Sequence, residues 1–209
     1  MFALTASDLG GRILGCGDGP ASFNAEATRR GLRAVSCDPI YQFDAAQLEH
    51  RIEQTRDEVL AQTRRNANEF VWTSIASVEE LGAVRLRAMQ LFLEDFTAGK
   101  AEGRYVEAAL PSLPFEDQAF DIALCSHFLF LYTLQRDLAF HRDAVREMCR
   151  VARDVRLFPL LALGGEPSPY VEPIAAEFRA LGYTVSVERV PYEFQRGGNQ
   201  MLRINGKSR

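Results

Sequence analysis

The stretch Arg12-Ile13-Leu14-Gly15-Cys16-Gly17-Asp18-Gly19-Pro20, together with Ala34-Val35-Ser36-Cys37-Asp38-Pro39, decides how this chain folds. Arg12 to Leu14 is a short strand signal that runs straight into a glycine-rich turn. A helical segment then spans about residues 21–30, with Pro20 suited to a first helical position and Gly31 to the stop. A second buried strand at Ala34 to Cys37 ends at Asp38-Pro39. Strand, glycine turn, helix and strand within about thirty residues make a βαβ unit.

In an open α/β sheet, ligands sit beyond the carboxyl ends of the strands, where the strand order reverses. Gly15, Gly17 and Gly19 occupy that exit from the first strand. Without a Cβ, the backbone there can turn tightly and approach a ligand closely. The following helix offers free N–H groups. Asp38 stands 21 residues after Gly17, where a carboxylate can accept hydrogen bonds from both hydroxyls of a ribose. The alternative role for Asp38 is that of a turn residue before Pro39.

Working outward, residues 43–66 read as a long polar-faced helix, with Asp44 and Gln47 as a capping box. A second helix runs over about residues 78–98, boxed by Ser77 and Glu80 and stopped by Gly99. Further strands are expected at 104–108, 120–125, 155–162, 184–190 and 200–204, and further helices at about 136–152 and 170–181. Lys207-Ser208-Arg209 reads as a frayed tail. Strands alternating with helices give a mostly parallel three-layer α/β sheet, and the two closely spaced last strands require one of them to be antiparallel. About sixty residues separate the second and third strands, where a single crossover helix needs a dozen or more. The excess, residues 43–98, reads as a helical lid that selects substrate or as an oligomer contact.

Composition bounds the rest. The chain has 209 residues, a formal net charge of −4, 47% hydrophobic and 25% charged residues. These describe one ordinary globular domain and exclude fibrous, disordered and membrane classes. The acidic balance argues against a broad electrostatic contact with nucleic acid. Cys16, Cys37, Cys125 and Cys149 show no metal-binding or disulfide spacing, so free buried thiols in a reducing cytosol are expected, with no metal. Met1 to Thr5 lacks the basic and apolar blocks of a signal peptide, which points to a cytoplasmic location.

Two nucleotide-type ligands compete for the glycine turn. A nicotinamide cofactor favours G-x-G-x-x-G, and here Pro20 stands at the third glycine. The Gly17-x-Gly19-x-Ala21 spacing instead resembles the turn of class I S-adenosylmethionine-dependent methyltransferases. Leu113-Pro114-Phe115-Glu116-Asp117-Gln118-Ala119-Phe120-Asp121-Ile122 is similar to that family's segment leading into its fourth strand. Glu147-Met148-Cys149-Arg150-Val151 resembles the helix before its fifth strand, and Gly182-Tyr183 with Gln200-Met201-Leu202 its closing strand pair. The similarity covers about residues 10–40 and 104–205.

The resemblance implies a Rossmann-like sandwich with a seven-stranded sheet, S-adenosylmethionine as cofactor, and methyl transfer to a small-molecule or protein acceptor. It matches Gly17 and Gly19 to glycines beside the methionine moiety and Asp38 to the ribose-binding acid. Pro39 lies in the segment that packs on adenine, and Ser126 and His127 at the strand-four exit. Two positions depart from the family pattern. Gly15 stands where an acid is usual, and Ala109, with Leu110 adjacent, stands where an Asp often meets the adenine amine. A nicotinamide-dependent oxidoreductase and a non-catalytic S-adenosylmethionine-binding protein are the alternatives. Cys125-Ser126-His127-Phe128 replaces the Pro-Pro-aromatic run of nucleic-acid-methylating relatives, which makes a nucleic-acid acceptor the less favoured one.

Methyl transfer from a sulfonium needs mainly proximity and alignment, and a base only where the acceptor must lose a proton. His127 is the candidate base, or else a half-buried structural histidine. Tyr132 can orient an acceptor or belong to the core. His141 and the Arg64-Arg65 pair read as surface groups. Tyr192, Gln195 and Asn199 line an acceptor pocket or serve the last turn.

Overall fold

The computed structural model describes residues 1–207. Of the tail expected to fray, Ser208 and Arg209 lie outside the described residues, and Lys207 ends the last strand. The elements in chain order are α1 (Ala6–Leu9), β1 (Arg12–Cys16), α2 (Phe23–Arg29), β2 (Arg33–Cys37), α3 (Ala45–Arg65), α4 (Val78–Ala101), β3 (Tyr105–Val106), β4 (Phe120–Ser126), α5 (Leu138–Val151), β5 (Ala152–Phe158), α6 (Val171–Ala180), β6 (Tyr183–Arg189) and β7 (Gln200–Lys207).

The seven strands form one sheet in the order β3-β2-β1-β4-β5-β7-β6. The first five run parallel, and β7 lies antiparallel to both β5 and β6. The order reverses between β1 and β4, so a crevice opens where the glycine turn and the exit of β4 face each other. Alternate residues divide the faces. Leu14, Cys16, Ala123, Cys125, Val155 and Leu157 turn to the main core shared with α5 and α6. Ile13, Ile122 and Leu124 turn the other way, under Phe2, Leu4, Leu9 and Phe23.

That second face also buries a charged network. Arg156 of β5 is 1% exposed, and its guanidinium meets Asp154 at 2.7 Å and Asp8 at 3.0 Å. It also donates to the Phe2 carbonyl at 2.8 Å, and Asp154 takes a second cation, Arg203, at 2.8 Å. A charge this deep persists only when its donors are satisfied. The network therefore ties α1 and the segment before it to the sheet.

Several boundaries differ from expectation for local reasons. Ala152 already adopts extended geometry at the end of α5, so β5 begins there rather than at Val155. It ends at Phe158 because Pro159 has no N–H for the ladder. Gly99 does not stop its helix. It lies buried within α4, where a Cβ would come within 2.5 Å of the Tyr105 ring, and the turn is made at Gly103, φ +75°. The Asp44–Gln47 box closes in both directions. Ser77 caps the Glu80 amide, but the Glu80 carboxylate accepts from Ala76 instead of closing a box. The helix α1 was not expected, and its Thr5–Asp8 capping box accounts for it.

One side-chain placement differs from expectation, and one surface pair gains a partner. His141 is fully buried, with its ring nitrogens 2.8 Å from the Asp137 carbonyl and 2.7 Å from the Leu129 carbonyl. Arg64 is exposed but bridges α3 to α4 through Glu79 at 3.1 Å.

Candidate cofactor and acceptor site

The glycine turn holds left-handed backbone at Gly17, φ +69°, and Gly19, φ +59°. Gly17 donates its N–H to the Cys37 carbonyl at 2.9 Å, and a Cβ on it would stand 3.0 Å from the Phe128 ring. Gly19 donates to Asp38 Oδ2 at 2.9 Å, while Asp38 Oδ1 accepts from the Ile40 amide at 2.9 Å. Asp38 thus fastens the end of β2 to the turn, with Pro39 opening a single 3-10 turn after it. Burial pushes the Asp38 carboxyl above its usual range, and the two amides pull it back. Each of its oxygens keeps a further lone pair for a ligand. The Tyr41 hydroxyl donates to the Gly19 carbonyl at 2.8 Å, and its ring is buried among Phe92, Phe96 and Tyr105.

Asp18 fills the gap that Gly15 leaves. A Cβ at Gly15 would overlap the Asp18 carboxyl, which folds back over β1. Its Oδ2 accepts from Ser36 Oγ at 2.6 Å. Its Oδ1 makes no hydrogen bond among the described residues, and the carboxyl borders a cavity of about 630 Å³. Burial, with repulsion from Asp38, pushes its pKa up to about 6, against the Ser36 hydrogen bond. Asp18 is half-buried and lines that cavity.

Ser126 and His127 reach the same cavity from the end of β4. His127 holds left-handed backbone, φ +52°, and donates its N–H to the Phe158 carbonyl at 2.7 Å. Such a conformation costs about 1–3 kcal/mol in a non-glycine residue and concentrates at functional sites. His127 Nδ1 lies 2.8 Å from Ser126 Oγ. His127 keeps part of its surface exposed, and the protein packed around its ring first, then the positive charges of Arg85 and the chain's amino terminus, lower its pKa to about 4. The imidazole is therefore neutral at neutral pH.

His127 also borders a second cavity of about 360 Å³, between α3 and α4 and the sheet. Tyr132, Gln195, Phe70, Phe194 and Arg85 line it. The Phe70 and Phe194 rings stack at 5.0 Å, and Arg196 donates to the Asn68 and Phe70 carbonyls. The last hairpin is thus fastened to the segment that joins α3 to α4.

The structure brings Gly15, Ser126 and His127 around one cavity and joins Gly19 to Asp38. Asp38, Pro39, Ala109 and Leu110 do not line that cavity. Ala109 is exposed, and Leu110 is buried in the main core. Asn199 donates to Glu193 and serves the turn, whereas Gln195 lines the pocket. The four cysteines are buried and free, and burial pushes the Cys125 thiol up to about 12. Sequence reasoning missed Asp18 and Arg85. The signal for Asp18 was in plain view, since an acid in a glycine turn beside an unexplained glycine at the strand end can fold back over it.

Residues 13–155 match the family model described as a methyltransferase domain. The chain belongs to that family. It is a class I S-adenosylmethionine-dependent methyltransferase, with S-adenosylmethionine as its cofactor. Among curated proteins it is 32% identical over 205 residues to the uncharacterized protein MJ0045 of Methanocaldococcus jannaschii, covering 98% of this chain and 90% of the relative. Among solved structures, a SAM-dependent methyltransferase from Methanosarcina mazei matches with a TM-score of 0.50 at 14% identity, over 96% of this chain and 94% of that one. The PH0226 protein from Pyrococcus horikoshii matches with a TM-score of 0.50 at 11% identity, over 94% and 82%. These likenesses confirm the mixed seven-stranded sheet.

The donor set fits the cofactor. An unpartnered carboxylate oxygen on Asp18 faces a cavity at the switch point, Asp38 retains acceptor capacity beside the glycine turn, and Gly19 leaves open space where a side chain would stand. No helix among the described residues is long and apolar enough to cross a membrane.

Proposed function

We propose that this methyltransferase acts on a small-molecule acceptor enclosed beneath the α3–α4 pair, with His127 as the proton acceptor. The observation that carries this is the position of His127, which borders both cavities. A pocket of about 360 Å³ walled by aromatic rings suits a small ligand better than a polymer. The absence of a broad positive balance, at net charge −4, also disfavours nucleic acid.

In this reading Asp18 holds the ammonium of the methionine moiety, and Asp38 the ribose hydroxyls. The bound cofactor supplies a methyl group on a sulfonium, an already excellent leaving group. The chain supplies alignment. Ser126 accepts from His127 Nδ1–H, which leaves the lone pair on Nε2, a nitrogen with no hydrogen bond among the described residues. As the new bond to the methyl carbon forms, Nε2 takes the proton that the acceptor heteroatom loses. Tyr132, 39% exposed at the cavity, orients the acceptor. The helices α3 and α4 act as a selecting cap within a single domain.

The test is transfer of labelled methyl groups to a panel of small phenols, amines and organic acids, beside protein and oligonucleotide mixtures. Label in small molecules only, and a kcat lowered about a hundredfold or more by His127→Gln, is the expected result. Label in oligonucleotides alone would overturn the acceptor class.

A further inference from the structure

Arg85, on α4, stands apart from the paired arginines of the fold. Arg104 grips Asp95 at 2.6 Å, and Arg156 grips Asp154 at 2.7 Å. Arg85 is exposed and forms no ion pair and no hydrogen bond among the described residues, although its side chain faces inward over a pocket rather than a paired acid. A guanidinium does not give up its proton in a protein, so Arg85 carries an unpaired positive charge into that pocket. The side chain lines two cavities, one between α3 and α4 and the 360 Å³ pocket shared with His127.

The pocket's own acid does not cancel that charge. Glu69 lines the same pocket and makes no ion pair with Arg85. The other groups that feel Arg85 are the His127 imidazole, which is neutral, and the Tyr192 phenol. Phe70, Phe194 and Leu131 give the pocket an apolar side, and Gln62, Thr63, Asn66 and Gln195 a polar, uncharged one. A single planar fork of donors matches a carboxylate, which it can bind through two parallel hydrogen bonds.

We propose that Arg85 docks a carboxylate of the acceptor, so that the substrate is a small organic acid with a flat apolar body. This rests on the methyltransferase reading of the site, because it places the acid in the pocket that adjoins the cofactor cavity. Docking also neutralises the cation that repels a proton from His127, so an occupied pocket makes that imidazole a better base than an empty one.

The test uses benzoate as the probe, on the full chain, followed by NMR of the His127 ring, with His127→Gln to assign its signals. Benzoate is expected to shift them saturably, with dissociation in the millimolar range, and to move the His127 titration to higher pH. Arg85→Gln should weaken benzoate at least tenfold and raise the His127 titration with no benzoate present, while Arg85→Lys keeps part of the affinity. A merely structural Arg85 would not link the two readouts. Absence of saturable benzoate binding, equal affinity in Arg85→Gln, or inorganic phosphate bound more tightly than benzoate at the same residue would each overturn the proposal. Calorimetry with S-adenosylhomocysteine separates the two levels. If it binds and benzoate does not, only the carboxylate proposal fails. If neither wild type nor variant binds it, the methyltransferase reading itself fails.

Discussion

The pH dependence of cofactor affinity follows from Asp18. Its carboxyl titrates near pH 6 in the empty protein, because burial and Asp38 disfavour the charge. An ordinary carboxylate loses its proton near 3.8, so the folded chain keeps this one to a higher pH than the unfolded chain does. Charging Asp18 therefore costs the empty fold stability as pH rises through 6. An ammonium placed against Oδ1 reverses the balance, since it favours the charged form. Affinity should then track the ionised fraction, about nine-tenths at pH 7 and about one-tenth at pH 5, a tenfold loss or about 1.4 kcal/mol. Calorimetric titration of S-adenosylhomocysteine between pH 5 and 8 would show this, with release of nearly one proton per ligand at the acid end. Asp18→Asn should weaken binding at pH 7 at least tenfold and flatten the profile. Ser36→Ala, which removes the hydrogen bond that favours the charge, should move the midpoint upward. A wild-type affinity that is level from pH 5 to 7, or an Asp18→Asn profile as steep as the wild type, would refute the assignment.

Three further outcomes are expected. Gly15→Ala places a methyl group in the space of the Asp18 carboxyl, so S-adenosylhomocysteine affinity should fall at least tenfold while the far-ultraviolet circular dichroism stays native. With His127 titrating near 4, the methyl-transfer rate should be level between pH 6 and 8, and an inflection at 6.5 would show that an unperturbed histidine is the base. Arg156→Leu strips the counter-charge from Asp8 and the hold on Phe2, which should cost about 3 kcal/mol in denaturant unfolding. A loss under about 1 kcal/mol would mean that the network is no better than a surface pair.

Much of the framework was legible because local signals carried it. The βαβ unit, its glycines, Asp38 at the strand end and two inserted helices all follow from patterns a few residues wide. The parts that were not legible depend on groups far apart in the chain. Asp18 can be seen to fold back over Gly15, but its partner Ser36 is fixed only by the register of β1 against β2. The isolation of Arg85 is a property of everything packed around it. His141 looked like a surface residue beside Arg142, but the chain after β4 bends its Leu129 carbonyl over the ring. Gly99 looked like a stop because helix-ending glycines are common, and only the Tyr105 ring shows why this one belongs inside the helix.

The bridge between Phe70 and Gln195 joins two segments more than a hundred residues apart at the rim of the 360 Å³ pocket proposed for the acceptor. Neither segment belongs to the glycine turn, to Asp18 or to Asp38. A change of acceptor can thus be made by exchanging two short loops as a matched pair, leaving the cofactor machinery untouched. Exchanging one alone would break the Phe70–Phe194 stack and the Arg196 clasp that hold the rim together. For directed evolution, the useful libraries are those that vary residues 67–72 and 193–199 in concert, sparing Pro191 of the cofactor cavity.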